Sequence, residues 1–594
     1  MTVNEKIAKI RSLMAQNHIA ACIVPSADPH ISEYVSNHWK TRAFVSGFSG
    51  SAGTFVITEK ESGLWTDGRY YVQAAAELAP SEAVLFKAGE PGTPKVNDYL
   101  LENLPEGATV GFNGTLFTAS AVKEMQKVFD KKSIKINTNV DYANDIWEDR
   151  PAETLTPGFY LEETYSGRSA AEKLAQVRAK LKEEDAQALI VSKLDDIAWL
   201  YNVRANDVVG NPVVIAYAFV SQDKAILFTE GSRMPAQAAA VLEKNGVSVA
   251  PYQQVFQYVA GIQEKLTVIC DEKELNYNLY QAAANNSALT VVNKEDPIPL
   301  MKACKNEVET ANTYKAYLQD GCAEAEFYGW LFEALEKGET FTEWEVAEKL
   351  REFRSQQPDY QEDSFNAILA YKENAAMMHY GPKKDTAKTL ERSHLLLNDS
   401  GGQYMVGTTD TTRTVALGEI TQQERHDFTL VLQSVIAMTT AKFKEGTTGK
   451  ELDILARGPL WKEGLDYRCG TGHGVGYLLN IHEGPQSFRN NVPLKEGMVI
   501  TIEPGVYTEG SHGIRTENAA VVCKDISTEY GQFMRFDIFT VVPIDTDCLD
   551  ISMMTDSEIQ WLNNYHKHVY ETVAPHVSER AKKWLEKTTQ PISK

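Results

Sequence analysis

Residues 301–594 read as one pattern written twice, and that doubling restricts their fold more than any single motif does. A helical stretch begins near Asn306 and runs to KGETF (337–341), a second covers 342–356, and strand-like runs follow at FNAILAY (365–371) and HLLLND (394–399). The order then recurs. A helix starts near Glu424, KEGTT (444–448) ends it, another spans 449–464, and strands follow at GMVITIE (497–503) and GIRTENAAVV (513–522). The turn glycines Gly338 and Gly446 lie 108 positions apart, and the same shift carries Asp399 and Asp410 close to Glu503 and Glu517. Each half therefore supplies a strand pair bearing two acids, and an internally duplicated fold predicts that all four converge at a pseudo-twofold interface.

The local settings of these acids sharpen the expectation. Asp399 ends an apolar strand, Asp410 is expected midway along a Thr-rich one, and Glu503 closes a strand at Glu-Pro-Gly. Period-two alternation through GIRTENAAVV puts Arg515 and Glu517 on one face. Carboxylates inside apolar strands are costly unless paired or bound to metal. Four clustered together raise one another's pKa, and two divalent cations would cancel their charge. His473, in GTGHGVG, is the fifth ligand candidate, and the small residues on either side allow close backbone packing. One imidazole among oxygen ligands suits manganese, cobalt, iron or zinc, with the oxygen excess favouring the harder ions. Taken singly, an Asp at a strand end is commonly a turn residue, and a His between glycines a packed or capping one. The ordered set is what carries the signal.

Upstream, apolar strands alternate with helices in two successive blocks. AACIVP (20–25), GTFVIT (53–58) and GLWTDGRYYVQ (63–73) mark the first block. An amphipathic helix at 169–184 with QALIVS (187–192), NPVVIAYAFV (211–220) and KAILFT (224–229) marks the second. Such alternation reads as α/β, twice. WTDGRYY is expected to be a packing strand in which Asp67 and Arg69 form a structural ion pair. Proline- and glycine-interrupted segments at 148–160 and 293–309 divide the chain into an amino-terminal α/β domain (1–155), a second (156–300) and a third, α+β domain (301–594).

A formal charge of −22 disfavours phosphate backbones and anionic lipid, so neither nucleic acid nor membrane is an expected partner. No apolar run of roughly 18 residues is present to span a bilayer. The seven cysteines are scattered without a C-x-x-C pair, which argues against a disulfide framework or zinc-thiolate site and for a reducing compartment. The amino-terminal segment MTVNEKIAKIRSLMAQ has a helical pattern but not the apolar core of a signal peptide, so a cytoplasmic location is expected.

The order Asp399, Asp410, His473, Glu503 in Glu-Pro-Gly and Glu517 resembles the pita-bread metallopeptidases, a group that includes methionine aminopeptidase, prolidase and aminopeptidase P. FNAILAYKENAAMMHYGP, DSGGQYMVGTTDTTRT, GLDYRCGTGHGVGYLLNIHEGP and IEPGVYTEGSHGIRTEN, with RAFVSGFSGSAGTFVIT and WTDGRYYVQA upstream, narrow the resemblance to the long, three-domain cytosolic Xaa-Pro aminopeptidases. The resemblance implies two creatinase-like α/β domains followed by a pita-bread catalytic domain. It implies removal of the amino-terminal residue from peptides with proline second, by a hydroxide bridging two metal ions, manganese foremost. Asp410 and Glu517 would bridge the ions, Asp399 would hold one, and His473 and Glu503 would complete the other. Glu503 would also take the water's proton, and His379 and His482 would bind the scissile carbonyl and pass a proton to the leaving nitrogen. Tyr507 would line the proline pocket, and Arg515 would orient a carboxylate or contact substrate. A homodimer is also implied. Prolidase, restricted to dipeptides, is the alternative on the same fold, and a catalytically inactive peptide-binding module is the alternative of another class.

Overall fold

The structure is a computed structural model describing residues 1–594. The chain forms two compact units, residues 1–163 with 168–298, and residues 164–167 with 299–594.

The first unit holds two six-stranded sheets with the same topology. In one, Ala21–Pro25 is the inner strand. Thr54–Thr58, Ser62–Thr66 and Val84–Lys87 add in turn on one side, and Thr109–Gly111 and Lys135–Asn137 on the other. In the other sheet Ala188–Val191 takes the inner place. Tyr217–Ser221, Ala225–Phe228 and Ser248–Ala250 lie on one side, and Leu266–Ile269 and Leu289–Val292 on the other. Even the directions agree: antiparallel, antiparallel, parallel outward on the first side, and parallel throughout on the second. The two blocks are therefore one fold repeated, although their sequences do not match visibly. The inner strands, ACIVP and ALIV, are buried nearly end to end, as strands covered on both faces must be. His30 ties the blocks together, its Nδ1 2.8 Å from Ser192 O and its Nε2 2.8 Å from the Tyr252 hydroxyl.

Two strand expectations in this unit are corrected. GLWTDGRYYVQ is a strand only to Thr66. Asp67 then turns the chain, accepting from Arg69 Nε and Nη2 at 2.9 Å each, and a helix follows at Tyr71–Leu78. The expected ion pair is present, but it holds a turn. NPVVIAYAFV pairs as a strand only from Tyr217.

The second unit shows the duplication directly. Helices Glu307–Glu336 and Glu343–Ser355 precede an antiparallel sheet with Leu395–Ser400 between Ile368–Tyr371 and Thr411–Ala416. Helices Gln422–Thr439 and Gly449–Lys462 precede a larger sheet in which Val499–Ile502 lies between His473–Gly474 and Asn518–Thr528. All four helices open with a capping box, at Asn306, Thr342, Thr421 and Thr448, which satisfies the first free N–H groups and fixes where each helix begins. Gly338 and Gly446 both adopt positive φ, +82° and +93°, a conformation that side-chain-bearing residues rarely take.

Threonines and one arginine join the halves. Thr412 Oγ1 donates to Glu517 Oε2 at 2.8 Å, Glu517 N–H donates to Thr412 O at 3.1 Å, and Thr414 Oγ1 donates to Arg515 O at 2.9 Å. The buried Arg413 donates to the carbonyl of Glu517, to Asn518 Oδ1 at 2.8 Å, to Val542 O at 2.8 Å and to the Tyr565 hydroxyl at 2.7 Å. The Thr-rich strand is thus the seam. Its hydroxyls bond the opposite half where bulky apolar side chains would hold it away.

Alternation along Leu395–Ser400 sends Asn398 and Ser400 to the face opposite Asp399. There Asn398 Nδ2 donates to Glu324 at 2.9 Å, and Arg354 bonds Asp320 at 2.7 Å, Glu324 at 2.7 Å and Ser400 Oγ at 3.0 Å. All three charged side chains are buried, and burial pushes Glu324 up to about 7 despite Arg354. Removing the cation strands two acids in the core. Arg354→Met is expected to destabilise the protein by about 3–5 kcal/mol, read as a lower urea midpoint at unchanged slope. A loss below about 1 kcal/mol would show that this network is not what holds the strand.

Candidate active site

The site assembles at the ends of the paired strands. Asp399 is the penultimate residue of its strand, and Glu503 directly follows Val499–Ile502. Asp410 directly precedes Thr411–Ala416, not midway along it as expected, and Glu517 directly precedes Asn518–Thr528. GIRTENAAVV is likewise not one strand. His512–Arg515 closes a hairpin with Gly505–Thr508, the chain breaks at Thr516–Glu517, and a new strand begins at Asn518. Both differences have one cause: the carboxylates stand in breaks of the ladder, where backbone and side chain are free to turn toward the seam. Arg515 and Glu517 still share a side, since both bond Thr412 Oγ1.

His473 reaches the acids because its neighbours are glycines. A Cβ on Gly472 would lie 1.8 Å from Thr501 O, and one on Gly474 would lie 2.3 Å from Glu483 O. The Nδ1 of His473 lies 2.9 Å from Gly474 O, and a carbonyl only accepts, so the proton sits on Nδ1. In the neutral ring Nε2 is then the lone-pair nitrogen, and it faces Glu503 Oε1 at 3.3 Å and Asp410 Oδ2 at 3.5 Å. One ligand atom from each of Asp410, His473 and Glu517 falls within 4.8 Å of the others. The His482 ring packs edge-on against His473, with centroids 4.2 Å apart. Glu503 Oε1 accepts from Thr501 Oγ1 at 3.2 Å.

Arg515 links the remaining residues. Its guanidinium pairs with Asp399 Oδ2, donates to the Tyr507 hydroxyl at 2.5 Å and to Thr412 Oγ1 at 3.2 Å, and reaches Met378 O at 3.4 Å. His379 follows Met378 in the half-buried segment after the turn Lys372–Ala376. The structure thus gathers Asp399, Asp410, His473, Glu503, Glu517, His482, Tyr507 and Arg515, and brings the segment bearing His379 against Arg515.

The cluster is short of positive charge. Burial first, then Glu517, Asp399 and Glu503, holds Asp410 well above the usual carboxylate range. Burial followed by Glu503 and Asp399 does the same to Glu517, and burial with Asp399 lifts Glu503 to about 7 against the pull of Arg515. Asp399 Oδ1 and Glu517 Oε1 are buried with no hydrogen-bond partner. Orphaned buried carboxylate oxygens beside an imidazole lone pair form a donor set for divalent cations, and the residues present fit such ions. No sequence signal singled out Thr412, Thr501 or Arg413. The only trace was the threonine density of TTDTTRT.

Comparison with known proteins gives the family. Residues 6–150 and 149–309 match the creatinase/prolidase N-terminal domain, residues 321–524 match metallopeptidase family M24, and residues 532–592 match the C-terminal region of that peptidase. Aminopeptidase P2 of Arabidopsis thaliana is 37% identical over 635 residues, covering 100% of this chain and 89% of that protein. Xaa-Pro aminopeptidase 1 of Dictyostelium discoideum is 37% identical over 615 residues, covering 100% and 97%. The chain belongs to the Xaa-Pro aminopeptidases of metallopeptidase family M24. As a member it is a hydrolase, with creatinase-type α/β domains before a pita-bread catalytic domain. The crystal structure of X-prolyl aminopeptidase from Caenorhabditis elegans, described as a cytosolic enzyme with a di-nuclear active site, superposes with a TM-score of 0.94. It is 34% identical, with 100% of both chains covered.

The raised carboxyls of this aminopeptidase set a pH dependence. Without cations, the folded state keeps protons on Asp410, Glu517 and Glu503 that the unfolded chain releases near its ordinary carboxylate range. Their contribution to stability is therefore present at low pH and lost as the pH rises through the raised folded-state values, about 7 for Glu503. Chelated protein is expected to lose thermal stability between about pH 5 and pH 8, and added divalent cations to restore more of it at the higher pH. A metal-induced rise in Tm that shrinks with increasing pH would contradict the assignment.

Proposed function

We propose that this chain is a metal-dependent aminopeptidase that removes the amino-terminal residue from peptides with proline in the second position. In this reading Asp399, Asp410, His473, Glu503 and Glu517 hold two divalent cations, manganese foremost. The observation that carries it is the convergence of four carboxylates and one imidazole lone pair, with two buried oxygens orphaned. When bound, such ions polarise a carbonyl and lower the pKa of a water. Glu503 takes the proton of the attacking water at its carboxylate, held for that role by Thr501 Oγ1 on Oε1. His482, braced against His473, and His379 bind the scissile carbonyl and return a proton to the proline nitrogen. Arg515 neutralises Asp399 and fixes Tyr507, which lines the proline pocket. A pocket built for a pyrrolidine suits a bond whose nitrogen carries no proton and which a general aminopeptidase handles poorly.

Three domains, 1–155, 156–300 and 301–594, carry this activity, and the first two restrict access to it. The relative from Caenorhabditis elegans supports a cytoplasmic location. A homodimer is supported by an exposed apolar stripe on helix Gly449–Lys462, where Ile454, Leu455 and Trp461 are 48%, 37% and 51% exposed. Trp461→Glu is expected to convert the dimer to monomer in sedimentation velocity. Unchanged sedimentation would place any dimer contact elsewhere.

The decisive experiment is metal analysis of wild type and Glu517→Ala beside an assay on an Xaa-Pro-containing peptide. The variant is expected to bind metal more than about 10²-fold more weakly and to lose turnover. Normal turnover would overturn the ligand set, and cleavage of an Xaa-Pro dipeptide alone would identify a prolidase instead.

A further inference from the structure

Glu343, the first residue of helix Glu343–Ser355, is 0% exposed, yet its carboxylate lies outside the acidic cluster. It accepts from Tyr371 N–H at 2.7 Å, Lys388 N–H at 2.8 Å, Tyr380 Oη–H at 2.7 Å, and Asn374 Nδ2 at 3.0 and 3.1 Å. Its own N–H donates to Lys388 O at 2.9 Å. Burying a carboxylate costs several kcal/mol, on the order of the penalty for any desolvated charge, unless donors replace water. Here those donors share a location. Tyr371 and Lys388 form the neck of the excursion 372–387, and Asn374 and Tyr380 lie within it. His379 is the residue next to Tyr380.

The opposite side of the excursion is fixed by the site. Met378 O accepts from Arg515 Nη2 at 3.4 Å, and hairpin strand His512–Arg515 lies so close that a Cβ on Gly513 would fall 1.8 Å from Ala375 O. Ile368, in the strand leading into the excursion, pairs with Asp399 itself. The excursion is therefore clamped between Arg515 and Glu343, with His379 between the clamps in sequence.

We propose that Glu343 is a positioning residue for turnover. By closing the neck and holding Tyr380, it sets where the His379 imidazole stands relative to the carboxylate cluster. This rests on the reading above in which His379 acts on substrate. Glu343 does not itself meet substrate, so its effect must pass through His379.

The test is a double-mutant cycle on the full-length, metal-loaded enzyme with an Xaa-Pro peptide, using E343Q, H379A and the double variant. The amide of E343Q presents N–H groups to donors that need acceptors. A misplaced histidine is expected to lower kcat by about 10²-fold, with metal content unchanged and KM within about twofold. In the H379A background the same change is expected to have no further effect. Y380F removes one donor only and retains the fold if E343Q does not. It is expected to lower kcat by a few-fold, roughly, and again only when His379 is present. Multiplicative losses in either cycle, or wild-type kcat in E343Q, would overturn the positioning role while leaving the reading of His379 intact. Wild-type turnover in H379A would overturn both.

Discussion

Bringing Asp399, Asp410, Glu503 and Glu517 into one buried region works against Coulomb repulsion in a medium that screens it poorly, and the architecture of the second unit follows from making that possible. The carboxyls of Asp410, Glu517 and Glu503 sit above their ordinary range, which records the strain of the assembly without cations. Opposition of this kind has to be met by structure that cannot relax. The seam supplies it through Arg413, which engages the backbone of Glu517 and the segment 542–543, and through threonine hydroxyls that bond the opposite half. Arg354 performs the same service behind Asp399, where two buried acids would otherwise add to the excess.

Placing three of the four acids at an interruption of a strand solves a second problem. A residue within an antiparallel ladder has its side-chain direction dictated by the pleat, whereas Asp410, Glu503 and Glu517 each stand where a strand is starting or has just ended. The same logic accounts for the glycines around His473, which bring the imidazole within reach of carboxylates on two other strands.

Much of this was legible in the residues. The helix beginning near Asn306, the paired KG turns, the duplication and the convergence of its acids follow from periodicity, turn glycines and spacing. What was not legible depended on contacts distant in sequence. The strand breaks before Asp410 and at Thr516–Glu517 cannot be seen in alternating residues that suit a strand, because the turn toward the seam is imposed by the other half. Glu343 is by position a first-turn acid of a capped helix, and only the return of the chain at Lys388 buries it. The likeness between the two amino-terminal blocks was legible as a repeated α/β alternation, but their common strand order was not. Topology and strand direction are set by where apolar runs fall, which many different sequences satisfy.

A seam-built site also has a history within each molecule. Synthesis runs from the amino terminus, so Asp399 and Asp410 leave the ribosome with the first half long before His473, Glu503 and Glu517 exist. Arg413 meanwhile waits for Asn518, Val542 and Tyr565, all of which come later. The nascent first half therefore carries a pair of acids and a cation whose partners are still unmade. The crowding of charge is thus deferred until Glu503 and Glu517 have been made.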